Sequence, residues 1–185
     1  EVAAIFYRLL TDDARKQYAA DSSRFADANN SWAAKEIATL TNAGILKGYN
    51  DGSFKPNASI SRAEFATVAS RFDKLSGGSK TFTDVPSTHW AYAAITSAAE
   101  KGWVNGYSDG SFRPNNSINR AEVVKITNAV LGRSCDKNFV AVNLEKLHDY
   151  NDINASFWAY YEILEASNAH DYKTVSGVES WSAVK

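Results

Sequence analysis

The chain has 185 residues and a mass of 20.3 kDa, with 44% hydrophobic and 22% charged side chains, a balance that supports a folded core and excludes a disordered polyelectrolyte. Its formal net charge of -1, with acids and bases interspersed, leaves no basic face of the size that a nucleic-acid backbone requires. A single cysteine, Cys135, excludes an intrachain disulfide framework and a cysteine-rich zinc site, and no apolar run is long enough to insert into a membrane.

In chain order, Glu1-Val2-Ala3-Ala4-Ile5-Phe6 reads as the interior of a helix, with no charged-then-apolar leader before it. Residues 11–24 read as a polar connector with a helix-compatible stretch from Asp12 to Tyr18. Phe25-Ala26-Asp27 then introduces a helix whose Trp32, Ile37 and Leu40 fall near helical spacing and which stops at Gly44, the expected glycine after a helix C-cap. The run from Tyr49 to Phe54 places Asp51-Gly52 in a tight turn closed by Pro56. Ser61-Arg62-Ala63-Glu64 is a capping box, in which serine and glutamate satisfy each other's orphan amides, and it starts a helix over 62–72.

The pattern then recurs. Phe82-Thr83-Asp84 precedes a helix carrying Trp90, Ala94, Ile95 and Ala98 and ending at Gly102. Tyr107 to Phe112 repeats the turn, Pro114 closes it, and Asn119 to Glu122 is the asparagine form of the capping box at the head of a helix over 120–131. GYNDGSFKPNASISRAE from Gly48 matches GYSDGSFRPNNSINRAE from Gly106 at constant offset. After a polar connector over 133–146, Tyr150-Asn151-Asp152-Ile153 and Phe157-Trp158-Ala159-Tyr160 supply a third leading half. His170 stands there where its siblings have Gly44 and Gly102. The chain start supplies a third trailing half, because Glu1 to Ile5 parallels Glu64 to Val68 and Glu122 to Ile126.

Taken together, 1–24 is a trailing half-repeat and connector, 25–75 and 80–133 are full repeats, and 134–185 is a connector and leading half-repeat, all within one module. One unit alone has too little apolar surface to be stable, so the copies must share a core. The expected fold class is all-α. Three pseudo-equivalent helix-loop-helix units surround an axis, with residues 1–10, 62–72 and 120–131 as central helices and the half-repeats at the two ends closing the ring.

Phe82-Thr83-Asp84-Val85, His89-Trp90-Ala91-Tyr92, Gly106 to Pro114 and Ile118 to Glu122 together resemble the S-layer homology family. The likeness covers most of the chain and resembles a C-terminal module of a bacterial cell-surface protein. It implies a pseudo-trimer with central spindle helices and radiating prong helices, whose inter-repeat grooves hold acidic, often pyruvylated, secondary cell-wall polysaccharide. It further implies an extracellular location in the cell wall or surface layer. By that likeness Arg62 and Arg120 contact the acidic group, while Trp32, Trp90, Trp158, Asp27, Asp84 and Asp152 line the grooves. Tyr49 and Tyr107 help to shape the pockets, and Ser61, where the family usually has threonine, joins the ligand-binding residues. Asn119 replaces that threonine in the second repeat, and Ser31 replaces the histidine before tryptophan in the first. At most two competent grooves are expected, because no arginine precedes Glu1 and the terminal half lacks its glycine.

Arginine at the first position of a helix is unfavourable by roughly 0.3–1 kcal/mol against the macrodipole, yet Arg62 and Arg120 both sit there. Open helix-end amides beside a guanidinium suit an incoming carboxylate or phosphate. An internal salt bridge to a neighbouring acid is the structural competitor. Glu64 and Glu122 are read as capping residues rather than a glycosidase pair, since equivalent positions in separate repeats do not create one acid and one base around a single bond. The tryptophans can anchor helices in the core as well as touch sugar. His89, His148 and His170 show no metal-ligand spacing and read as surface or capping residues, and the Asp-Gly loops lack the later glutamate of a calcium loop. Neither a catalytic residue, a cofactor nor a metal is expected. The alternative to polysaccharide anchoring is a structural module making lateral contacts with surface-layer proteins or with copies of itself.

Overall fold

Short segments become helices of six to twelve residues in the computed structural model, which describes residues 1–72 and 77–185, and Thr11, Ser61, Asn119 and Asp136 supply side-chain N-caps. The end of the expected first full repeat, at residue 75, lies outside the described residues. The chain divides into two compact units, Glu1–Ser59 and Ile60–Lys185.

The first unit contains α1 (Val2–Leu9), α2 (Asp12–Gln17), a short 3-10 turn at Ala26–Ala28 and α3 (Ala34–Asn42). Helices α1 and α3 pack together, and Phe6, Phe25, Ile37 and Leu40 are buried. Thr11 caps α2 by accepting from the amide of Ala14. Helix α3 ends in the expected way: Gly44 adopts φ 74°, and the amide of Ile45 reaches back to the Leu40 carbonyl at 2.9 Å.

The second unit contains α4 (Arg62–Ser70), α5 (Tyr92–Glu100), α6 (Arg120–Leu131), α7 (Lys137–Asn143) and α8 (Tyr160–Ser167). Two strands follow, β1 (His170–Val175) and β2 (Val178–Val184). Helix α4 packs on α5 and α6, α6 packs on α8, and α7 meets β2. Gly102, at φ 73°, ends α5 as Gly44 ends α3, with the Trp103 amide on the Ala98 carbonyl at 2.9 Å. Both capping boxes form, Ser61 with Glu64 and Asn119 with Glu122.

The all-α expectation is corrected at the C-terminus, where β1 and β2 pair as an antiparallel hairpin. Ser176 (φ 52°) and Gly177 (φ 81°) make a two-residue turn with both central residues left-handed, the form that matches strand twist. Tyr172, Thr174, Val175, Val178, Trp181 and Val184 supply the β-branched and aromatic content. His170, the first residue of β1, stands where Gly44 and Gly102 follow their helices. Asn168, at the C-cap of α8, is extended with ψ 113°, and the backbone runs directly into β1. A small core of Val140, Leu147, Tyr160, Leu164 and Trp181 fastens the hairpin to α7 and α8.

This hairpin also corrects the reading of one histidine. His170 is neither a surface nor a helix-capping residue; it is buried with its ring stacked on Trp181 at 3.7 Å. His89 and Ser31 instead tie the turns that lead into α5 and α3, His89 Nδ1 accepting from the Ala91 amide at 3.1 Å and Ser31 Oγ from the Ala33 amide at 3.3 Å.

Candidate functional site: a pocket at the head of α4 and α6

The glycine-rich loops are rigid because three residue types in each are interdependent. In the second repeat Asp84 accepts from the amides of Phe112 and Arg113, both at 2.7 Å. In the first, Asp27 accepts from Phe54 at 3.0 Å and Lys55 at 2.8 Å. Lys55 and Arg113 are held in the left-handed region, at φ 56° and 58°, by those paired bonds. The aromatic partners meet alongside, with ring centroids 5.6 Å apart for Phe25 and Phe54 and 5.2 Å for Phe82 and Phe112. A Cβ on Gly48 would lie 2.4 Å from the Phe25 ring, and one on Gly106 would lie 2.6 Å from Phe82, so glycine is required where each loop passes its phenylalanine. Asp27 and Asp84 therefore brace loops. Asp152, whose half-repeat has no such loop after it, is exposed and has no hydrogen-bond partner among the described residues.

The loop of the second repeat crosses onto α4. Its Pro114 and Asn116 carbonyls accept from the amides of Ala63 and Arg62, at 3.0 and 2.9 Å. Ile118 donates to Ile60 at 3.1 Å, and Ser61 faces Ser117 in an isolated bridge. The helix-end amides of α4 are thus satisfied by protein, which corrects the expectation that they are open to an anion. Ser61 is likewise committed, its hydroxyl donating to Glu64 at 2.8 Å.

Arg62 is buried. Its Nε donates to the Phe112 carbonyl at 2.9 Å, its Nη2 to the Asn105 carbonyl at 3.1 Å, and its Nη1 pairs with Glu122. Glu122 spans two roles, since one oxygen takes this ion pair while the other accepts from the Asn119 amide at 3.0 Å. The Tyr107 hydroxyl lies 3.4 Å from Glu122, and the Tyr107 ring is covered by Arg113, whose Cζ is 3.8 Å from its centroid. Arg120, the expected twin of Arg62, is instead exposed at the head of α6.

Beside this ion pair opens a pocket of about 230 Å³, lined by Arg62, Trp103, Tyr107, Glu122, Lys125 and Trp158 among others. Arg62 and Glu122 cancel in charge. Lys125 does not cancel: it makes no ion pair among the described residues, and its ammonium lies 5.6 Å from the centroid of Trp158. The pocket therefore combines one uncompensated positive charge, a 55%-exposed indole and a tyrosine hydroxyl. That arrangement suits an anionic ligand with an apolar sugar-like face.

Among the expected site residues, this pocket gathers Arg62, Tyr107 and Trp158, with Glu122. It does not include Trp90, Asp84, Ser61 or Arg120. Trp32, Tyr49 and Asp27 belong to the other unit, where Trp32 is 69% exposed and Tyr49 has Lys55 over its ring at 4.5 Å. Trp90 is 64% exposed. Sequence reasoning missed Lys125 and Trp103. The signal was present in the repeat itself, because the positions matching Lys125 are Thr67 and Ala4, and the one matching Trp103 is Ile45.

The S-layer homology domain matches residues 24–66 and 81–124. The chain is 37% identical over 180 residues to a cellulosome-anchoring protein of Acetivibrio thermocellus, covering 94% of this chain and 39% of that protein. It is 38% identical over 186 residues to cell surface glycoprotein 1 of the same organism, covering 93% of this chain and 8% of that one. A surface layer protein of Brevibacillus choshinensis is 34% identical over 121 residues, 62% of this chain and 11% of its own length. The chain thus spans well under half the length of each of these relatives.

Proposed function

Because the chain belongs to the S-layer homology family, we propose that it anchors a bacterial surface protein to the cell wall by holding an acidic wall polysaccharide in the pocket beside α4 and α6. The relatives' names, a cellulosome-anchoring protein and a surface layer protein, support the anchoring role and a place at the cell surface. The acidic character of the ligand rests on one observation: Lys125 is a cation with no ion pair among the described residues, set against an exposed indole.

Under this reading Lys125 supplies the attraction. Trp158 gives the sugar a stacking face, and Tyr107 offers a hydroxyl. Arg62 contributes chiefly by fixing the pocket wall, because three of its five N–H donors are already committed to protein acceptors. A pyruvyl ketal would fit the requirement, since it places a carboxylate on an otherwise neutral sugar. The module itself is non-catalytic in this account: Glu64 and Glu122 are each tied into a capping box, which accounts for both carboxylates without an acid–base pair. Single-site affinity need not be high, since a repetitive polymer raises effective concentration for any protein with more than one contact.

The test is co-sedimentation with purified wall sacculi, native and depyruvylated, of the wild-type chain and the Lys125→Ala variant. Binding to native sacculi that falls at least about tenfold on depyruvylation and on K125A, a loss of about 1.4 kcal/mol or more, supports the proposal. Equal binding by both proteins to both materials overturns it. Concentration-dependent self-association without wall material, together with no sedimentation, would favour lateral assembly instead.

A further inference from the structure

We propose that Glu165, His170 and Glu179 form a binding site for a zinc-class divalent cation beneath the C-terminal hairpin. The three residues come from the last turn of α8, the first residue of β1 and the second residue of β2. Their ligand atoms all lie within 4.8 Å of one another. Their side chains are 0%, 0% and 3% exposed, so the group is sealed from water.

Burial of that kind normally demands hydrogen bonds. Here both carboxylate oxygens of Glu165 and Oε1 of Glu179 have none. The imidazole is arranged differently. Its Nδ1 donates to the Asn168 carbonyl at 2.7 Å, which turns Nε2 toward the two carboxylates, 3.1 Å from Glu179 Oε2. Stacking on Trp181, at 3.7 Å and 18°, fixes the ring plane.

The spacing comes near what the chemistry requires. A tetrahedral ion with nitrogen and oxygen ligands at about 2.0–2.2 Å requires ligand atoms about 3.3–3.6 Å apart. His170 Nε2 lies 3.1 Å from Glu179 Oε2 and 3.6 Å from Glu165 Oε1. Two carboxylates and one imidazole favour zinc or a neighbouring transition metal, whereas calcium and magnesium select all-oxygen sets with more ligands. A fourth position would be left for water.

Arg133 at present occupies the focus of these atoms. Its Nε is 2.7 Å from Glu165 Oε1 without aiming an N–H at it and 3.5 Å from Glu179 Oε1, and its Nη2 is 3.1 Å from His170 Nε2. One guanidinium brings a single positive charge to two carboxylates, whereas a divalent ion brings two. The Arg133 side chain is 33% exposed, so it can turn outward when an ion enters, toward the face of Tyr172, whose centroid is 5.7 Å from its Cζ. The ion would then bond α8 to both strands and fasten the hairpin.

The experiment uses the whole chain, stripped with EDTA and titrated with zinc chloride by calorimetry and by thermal unfolding. One saturable site is expected, with a melting temperature raised by about 5–10 °C at a hundredfold excess over Kd. His170→Gln and Glu179→Gln should each weaken zinc binding at least about tenfold, and Arg133→Gln should preserve or tighten it. Should His170→Gln not fold, Glu179→Gln carries the comparison. Absence of saturable binding to the wild-type chain overturns the site, as does binding that survives Glu179→Gln unchanged.

Discussion

The guanidinium of Arg62 and the carboxylate of Glu122, the first residue of α4 and the third of α6, form a buried ion pair that joins two repeats. Glu122 at the same time closes the capping box of its own helix. Removing the arginine therefore leaves Glu122 and the Phe112 and Asn105 carbonyls short of a donor. Arg62→Ala is expected to destabilise by about 3–5 kcal/mol, the cost of stranding one half of a buried pair. Arg120→Ala, at an exposed position, should change stability by less than about 0.5 kcal/mol. Urea unfolding of the two variants checks the contrast, and equal losses would mean that Arg62 is not the interior residue its burial indicates.

The loop braces give a second expectation. Asp84→Ala removes the acceptor for two backbone amides next to a left-handed arginine, and should cost about 1.5–3 kcal/mol, the usual scale for hydrogen bonds to a charged group. Gly106→Ala should cost more, because its Cβ would lie 2.6 Å from both the Phe82 ring and the Ser111 carbonyl oxygen. Thermal unfolding ranks the pair, and a neutral Gly106→Ala would refute the close approach.

How much of this was readable beforehand depended on whether a feature was local. The helices over α3 to α6 followed from capping residues and terminal glycines, because Ser61, Asn119, Gly44 and Gly102 act within a few residues of themselves. The role of Asp27 and Asp84 did not follow, since each reaches a loop whose amides lie 27 to 29 residues away. Lys125 was overlooked for another reason. Attention to what the repeats share hides what one copy alone carries, and the uncompensated charge sits at a position where the copies differ. The hairpin was likewise legible in Ser176-Gly177 between β-branched residues, but only to a reading that did not extend the helical repeat to the end.

A pH dependence follows from the turn carboxylates. The Ser53 hydroxyl and amide hold the Asp51 carboxyl down at about 2, with Lys55 adding to them, and Ser111 with Arg113 does the same for Asp109. A carboxylate depressed on folding adds stability that is fully present above its unfolded value near 4, and that contribution is lost as pH falls through the folded value. The turns should therefore hold at pH 5 and loosen between about pH 4 and pH 2. Side-chain carboxyl shifts followed by NMR read this directly, and midpoints near 4 for both residues would show that the serine bonds do not persist in solution.

Cys135 should be chemically quiet. Burial, reinforced by the charge of Glu165, pushes its thiol up to about 12, so almost no thiolate exists at neutral pH. Alkylation by iodoacetamide at pH 8, followed by mass spectrometry, should run far more slowly than for a free cysteine peptide and should reach the peptide rate in denaturant. Rapid modification of the folded chain would contradict the burial.

The five tryptophans divide in a way that separates stability from binding. Trp103 and Trp181 are buried, while Trp32, Trp90 and Trp158 present more than half of their surface to solvent. Replacing Trp103 by alanine should cost about 3–5 kcal/mol, as for other buried aromatics. Replacing Trp158 should cost less than about 1 kcal/mol, since an exposed side chain loses little packing. Wall binding should show the opposite asymmetry between the exposed indole and a neutral surface control, because Trp158 contributes its open face to the pocket that Lys125 charges. An indole that held its helix in place would instead make Trp158→Ala unfold early and lose sedimentation for that reason alone. Measuring melting temperature and co-sedimentation on the same preparation distinguishes the two: retained stability with lost binding assigns Trp158 to the ligand, and joint loss assigns it to the fold.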